Sequence, residues 1–202
     1  TQRWRTLWNR GFAIGSTVAA LMQGIALGAL VPGSKTDANG YAGGWWDWFT
    51  PFSVLTGIAL VVGYALLGAC WLNLKTTGEV QRRAQRLAFK AGVVLLVLIG
   101  VVSIATPFVN HAYFSRWFAW PTGIFSVIVP LLVLLAAFEL WHGLTRGRHL
   151  KPFLAALALF VLSYAGLGIS SDPDIGPGDR TIEAAAAPYG SQLFLLVGAG
   201  II

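Results

Sequence analysis

The chain has 202 residues, of which 56% are hydrophobic and only 11% charged, and a formal net charge of +6. Soluble domains carry about 25% charged residues. With a mean hydropathy of +0.68, this composition excludes an ordinary water-soluble fold and implies an all-α class, a polytopic membrane bundle. The positive charge is first a topology signal. No basic patch interleaved with aromatics is present, so no nucleic-acid partner is expected. The single cysteine, Cys70, excludes an internal disulfide and any cysteine-cluster metal site and reads as a small packing residue. The chain starts at Thr1 without methionine and breaks off in an apolar run at Ile202, which suggests a piece of a longer protein.

One transmembrane domain is expected, with five full spans and a truncated sixth. The first helix is placed at about 8–31. It carries Gly11, Gly15 and Ala19, then Gly24 and Gly28, as small residues spaced by four, a stripe that lets helices approach closely. Gln23 is its one strongly polar side chain at mid-depth and fits an interhelical hydrogen bond, with a ligand contact as the alternative. A glycine-rich loop follows, turn-prone at Asn39-Gly40 and ending in the aromatics Trp45, Trp46 and Trp48.

The second helix, about 50–74, has the plainest start signal. Thr50 suits an N-cap and Pro51 the first helical position, where proline is tolerated. About twenty apolar or small residues come next, enough to cross ~30 Å of hydrocarbon at ~1.5 Å per residue. Gly57, Gly63 and Gly68 punctuate this run, and Ala59/Gly63 and Ala65/Ala69 form further close-packing pairs. Such a segment is expected to pack on protein as well as lipid.

A basic loop leads to a third helix, about 84–106, expected to stop at Pro107. The fourth, about 121–145, contains Pro130 and is expected to kink there. A basic turn with Arg146 and Arg148 precedes a fifth helix at about 152–170. An acidic loop then leads to a sixth, 188–202, too short for a full span.

Alternating the spans puts eleven basic residues on one side (Arg3, Arg5, Arg10, Lys75, Arg82, Arg83, Arg86, Lys90, Arg146, Arg148, Lys151) and three on the other (Lys35, Arg116, Arg180). The first side, which includes the N-terminus, is therefore expected to be cytoplasmic. All nine tryptophans fall near predicted helix ends, as an aromatic belt would.

Few residues could carry chemistry. Haem in membrane proteins hangs on axial ligands such as histidine, but His111, His142 and His149 all fall at helix ends or in loops. They read as interfacial histidines. Glu139 lies about two turns before Arg146, and its simplest reading is a near-interface carboxylate neutralised by Arg146 or the basic loops; a functional intramembrane acid is the sharper alternative. Asp47, just outside the second helix, complements that helix dipole, with a role in proton uptake as the alternative. No phosphate-cradling loop and no Ser/His/Asp set is visible, so no catalytic, cofactor or metal residue is assigned.

The run NGYAGGWWDWFTPFSVLTGIALVVGYALLGACWLNLKTTGEVQ resembles subunit II of the cytochrome bd-type quinol oxidases, a family that includes the cyanide-insensitive oxidases. QGIALG from Gln23 to Gly28, VSIATP from Val102 to Pro107, RWFAWP from Arg116 to Pro121, KPF from Lys151 to Phe153 and TIEAAAAPYGSQLFLLVG from Thr181 to Gly198 fit the same family in order. The resemblance implies a non-haem subunit of two four-helix bundles plus one further helix, of which this is the C-terminal part. It implies a partner, subunit I, holding haem b and haem d and oxidising quinol while oxygen is reduced to water in the bacterial inner membrane. Membrane lipid is a further expected partner, and a structural quinone in this half is left open. The family's proposed proton-path acids lie in the N-terminal half, so none is carried over. One departure is Glu183-Ala184 after Thr181-Ile182, where the family usually has tryptophan then glutamate. A secondary transporter, built on proline- and glycine-interrupted helices, is the alternative from another class. Against it, the mid-depth polar set is sparse: Gln23, Ser103, Ser126 and Glu139.

Overall fold

A computed structural model of the chain describes residues 2–32, 36–37, 40–41, 43–109, 122–171 and 188–201. Six helices account for nearly all of these: α1 (Gln2–Leu30), α2 (Pro51–Lys75), α3 (Gly78–Val109), α4 (Thr122–Thr145), α5 (Leu150–Ser171) and α6 (Tyr189–Ile201). Five contain stretches long and apolar enough to cross a membrane, and α6 is a shorter apolar helix. Between α1 and α2, β1 (Thr36–Asp37) pairs antiparallel with β2 (Gly40–Tyr41), a minimal ribbon inside the glycine-rich loop. The chain is thus a polytopic helical membrane bundle. His111, the RWFAWP run and Glu183 lie outside the described residues.

Two helices are longer than their apolar stretches. α1 begins at Gln2 instead of Trp8, and α3 begins at Gly78 instead of Ala84. In both cases the extra turns carry arginines, which form helix readily but do not enter hydrocarbon. Nor does α3 stop at Pro107, as expected, but runs on to Val109. Proline removes a single N–H, its own bond to residue i−4, and so close to the helix end little else depends on that bond. α4 likewise runs through Pro130.

The start of α2 follows its sequence signal. Thr50 is the N-cap, Pro51 opens the helix, and a reciprocal capping box forms. The Ser53 N–H donates to Thr50 Oγ1 at 3.0 Å, and the Thr50 N–H donates to Ser53 Oγ at 2.8 Å. Two donors that hydrocarbon could not satisfy are thereby paired within the chain. At the other end Lys75 Nζ lies 5.0 Å from the Trp71 ring. Only Thr76 and Thr77 separate α2 from α3, and Gly78, at φ +68°, supplies the left-handed residue that so tight a reversal needs. The α4–α5 turn uses the same device. Gly147 has φ +65°, and the Arg148 N–H donates to Gly143 O at 2.9 Å, the bond that closes a Schellman cap.

α2 is the central post. It packs against α1, α3 and α5, while α4 packs against α3 and α5. The main core lies where four helices meet: Leu66, Ala69 and Cys70 of α2, Ala88, Ala91 and Leu95 of α3, Leu140 and Leu144 of α4, and Ala156 and Leu159 of α5. Alternating alanine with leucine lets these helices come close while still filling the space between them. Ala88 is fully buried, so Ala88→Leu should overpack the α2–α3 contact at a cost of about 1–3 kcal/mol. The thermal midpoint of the detergent-solubilised protein should fall by several degrees, while Val94→Leu on the exposed face of α3 leaves it unchanged.

Candidate functional site: packed faces and intramembrane polar groups

α1 and α2 approach to backbone contact, and glycines permit it. A Cβ on Gly24 would lie 2.6 Å from Gly57 Cα and 2.9 Å from Thr56 O. One on Gly57 would lie 2.8 Å from Ile25 Cγ1 and 2.9 Å from Leu21 O. One on Gly28 would run into Thr56 Oγ1 and come within 2.7 Å of Ser53 Cα. A backbone atom lies within 3 Å at each of the three positions, so moving side chains aside would not by itself make room. Thr56 Oγ1 donates across the crossing to Gly24 O at 2.9 Å and back to its own helix at Ser53 O, 2.7 Å. Such sharing keeps the threonine hydroxyl satisfied in a region without water.

Gly63 serves a different contact. A Cβ there would lie 2.9 Å from Phe160 Cε2 of α5, a ring with Tyr64 and Tyr164 on its flanks at centroid distances of 5.1 and 5.7 Å. Gln23 reaches the same neighbourhood, its Oε1 accepting from Tyr64 Oη at 3.0 Å. Gln23, next to Gly24 in the chain, therefore ties α1 to α2 beside the glycine crossing by way of Tyr64, two turns along α2 from Gly57. By contrast a Cβ on Gly11, Gly15 or Gly68 would meet nothing within 4 Å. The structure brings Gly24, Gly28, Gly57 and Gly63 into helix contacts and leaves those three on open surface.

Glu139 is ion-paired, but with Lys151 of α5, Nζ to Oε2 3.3 Å, and not with Arg146. Lys151 stands at the start of the neighbouring antiparallel helix, which returns along α4 to the depth of the glutamate. Both side chains are about half exposed, so in water-like surroundings the pair would add little. Its effect is to neutralise a carboxylate where hydrocarbon would penalise it. Asp47 lies in the exposed turn Trp45–Trp48, three residues before the α2 N-cap, with its N–H donating to Gly44 O at 3.3 Å. The first turn of α2 is capped by Thr50 and Ser53 and contains no acid.

Sequence reasoning missed a polar seam at the basic end of the bundle. Gln81 Nε2 donates to Asn73 O at 3.0 Å and lies 3.2 Å from His149 Nδ1, so one side chain joins the end of α2 to the α4–α5 turn. Gln85 Nε2 donates to Leu144 O, a carbonyl of the last turn of α4. Both glutamines satisfy backbone acceptors that helix ends leave open. Asn73 itself is buried, and its Oδ1 has no partner among the described residues. Glutamine spacing on α3 was the available signal, at 81 and 85 on one face.

The two described histidines stand at the basic end of the bundle. His142, at the end of α4, stacks on Phe138 with centroids 5.6 Å apart, and His149 lies exposed in the turn. Cys70 is fully enclosed in the alanine-leucine core, where a macrocycle has no room. Among the described residues no three of His, Cys, Asp and Glu converge.

Five apolar spans, glycine-mediated crossings and neutralised intramembrane charge define a polytopic membrane protein built for helix contact. The family model for cytochrome bd terminal oxidase subunit II matches residues 1–202, and the chain belongs to that family. Over 107 residues, 50% of the chain, it is 32% identical to cytochrome bd-I ubiquinol oxidase subunit 2 of Escherichia coli K12, covering 28% of that protein. A probable cytochrome oxidase subunit 2 of Haemophilus influenzae is 31% identical over 99 residues, 46% of the chain and 26% of the relative. The alignments thus span little more than a quarter of the length of these curated relatives.

Gly24→Ala tests the crossing directly. Its Cβ has to displace α2 backbone, so the thermal midpoint of the solubilised protein should drop by an amount corresponding to about 1–3 kcal/mol. Gly68→Ala, which meets open space, should leave that midpoint unchanged or slightly raised. Equal behaviour of the two variants would show that the α1–α2 approach is looser than described.

Proposed function

We propose that this chain is a non-haem subunit of a bd-type terminal oxidase, in which quinol is oxidised and oxygen reduced to water by a partner, subunit I. The observation that carries this reading is the match of the family model over the whole chain. Support comes from the residues themselves. The helices offer tightly mating faces, while the described histidines stand at helix ends instead of lining an interior cavity. The haem b and haem d of the complex are accordingly assigned to subunit I, and this chain contributes to its assembly and stability in the bacterial inner membrane.

Within that reading, the N-terminal half of α1 is the surface for another protein helix. Residues 2–19 are all exposed, and Gly11, Gly15 and Ala19 form a shallow groove along them. Without a hydrophobic drive between helices in lipid, close backbone approach is what favours association. The charge imbalance supports a cytoplasmic side for the N-terminus and the basic turns.

A visible spectrum of the complex purified through the full-length chain tests the function. Reduced haem b and haem d bands should appear, and His142→Ala and His149→Ala should leave both at full intensity per complex. Loss of a haem band with either histidine variant would place a haem ligand in this chain. A stable haem-free preparation that transports a solute would replace the oxidase reading altogether.

A further inference from the structure

α3 is 32 residues long, ~48 Å at ~1.5 Å per residue, well beyond the ~30 Å of a hydrocarbon core. Its exposed face is continuous and has two chemistries. Arg82, Arg86 and Lys90 stand one turn apart, and steps of three or four residues continue that row through Val93 to Val97, Val101 and Ile104. All of these are exposed, Val97 at 60% and Ile104 at 69%. Buried Ala84, Ala88, Ala91 and Leu95 occupy the opposite side of the helix.

Three other cations at the same end of the bundle are engaged, whereas Arg146 and Arg148 of the α4–α5 turn, like this row, have no side-chain partner among the described residues. Lys75 is covered by Trp71, Arg83 is held by Glu79 at 2.9 Å, and Lys151 by Glu139 at 3.3 Å. Arg82, Arg86 and Lys90 have no carboxylate or ring partner among the described residues. They stand where the apolar run begins, at the level of phospholipid headgroups. From Val93 to Val101 the ridge extends ~12 Å, close to one leaflet of hydrocarbon.

We infer that this face is a binding site for an anionic phospholipid, its phosphate held by Arg86 and Lys90 with Arg82 above, and an acyl chain lying along the valine ridge. Charge complementarity selects the headgroup. The shape of the ridge argues for lipid over protein. Val93, Val97, Val101 and Ile104 are β-branched and bulky, whereas a close helix partner needs small residues, which are on α1 instead. A protein covering this row would also have to bury three cations against acids of its own. The inference rests on membrane embedding alone and stands or falls independently of the oxidase assignment.

The test uses the membrane complex containing the full-length chain, delipidated in detergent and offered phosphatidylglycerol or phosphatidylethanolamine of matched acyl length. Native mass spectrometry counts retained lipid. Wild type should retain phosphatidylglycerol at least about five-fold over phosphatidylethanolamine, with the preference reduced at high salt. R82Q/R86Q/K90Q should lose the preference, whereas R82K/R86K and the turn variant R146Q/R148Q should keep it. Equal retention of the two lipids by wild type overturns the proposal, as does an unchanged preference in the triple glutamine variant. Should that variant fail to assemble, a photo-crosslinking residue at position 97 decides in an otherwise wild-type chain. Adducts with lipid support the site, and adducts with another polypeptide overturn it.

Discussion

Hydrocarbon offers no partner for a stray backbone group and no hydrophobic force between two apolar helices, so contact has to come from fit. In this protein that fit depends on α2. Its N-terminal half takes α1 at backbone distance through Gly24, Gly28 and Gly57, and its middle takes Phe160 of α5 against Gly63. Its C-terminal half meets α3 through Ala69 and Cys70 against Ala88 and Ala91. Three different neighbours thus contact successive stretches of one helix. The capping box at Thr50 and Ser53 fixes where that helix begins, and thereby the register of every contact below it. A helix started one residue later would carry Gly57 and Gly63 about 100° out of line.

Several polar groups in the spans are turned towards a partner on a neighbouring helix or on their own backbone. Thr56 serves Gly24 O and Ser53 O, Gln23 accepts from Tyr64, and Ser163 and Thr106 bond back to carbonyls one turn earlier. Glu139 is neutralised by Lys151 across the α4–α5 hairpin. The same economy governs the basic end, where Gln81 and Gln85 reach carbonyls of α2 and α4 that the helices cannot satisfy themselves. Asn73 differs, with Oδ1 buried and unpartnered among the described residues. Such a group is costly at a helix contact.

Hydropathy made the spans legible, because a ~20-residue apolar run in a bilayer has few alternatives to helix. It did not show where the helices begin and end. Arg82, Arg83 and Arg86 interrupt the apolar run without interrupting the helix, so α3 starts at Gly78, and Pro107 removes one bond without ending it. The small-residue spacing showed which helices could approach closely but not which glycines would be used. Gly24 and Gly11 belong to similar i, i+4 pairs; one faces α2 and the other open surface. Spacing identifies a face, and only the partner's position decides whether it is filled. For the same reason Glu139 was legible as a carboxylate in need of a cation. The choice of Lys151 over Arg146 depended on the antiparallel return of α5.

The exposed surface is as informative as the core, since its two long helices present opposite chemistries to their surroundings. On α1 the open row is Gly11, Gly15 and Ala19, a groove into which a second backbone can settle. On α3 the open row is valine and isoleucine beneath arginine and lysine, too bulky for close helix approach and too positive for an apolar neighbour. A helix bundle that worked alone would have no reason to keep the glycine groove uncovered, because exposed glycine in a helix costs ~1 kcal/mol against alanine. A bundle entirely enclosed by protein would have no use for cations that have no acidic partner among the described residues at headgroup level. Having both fits a chain that meets protein along one side and lipid along another, as a peripheral subunit of a membrane complex does.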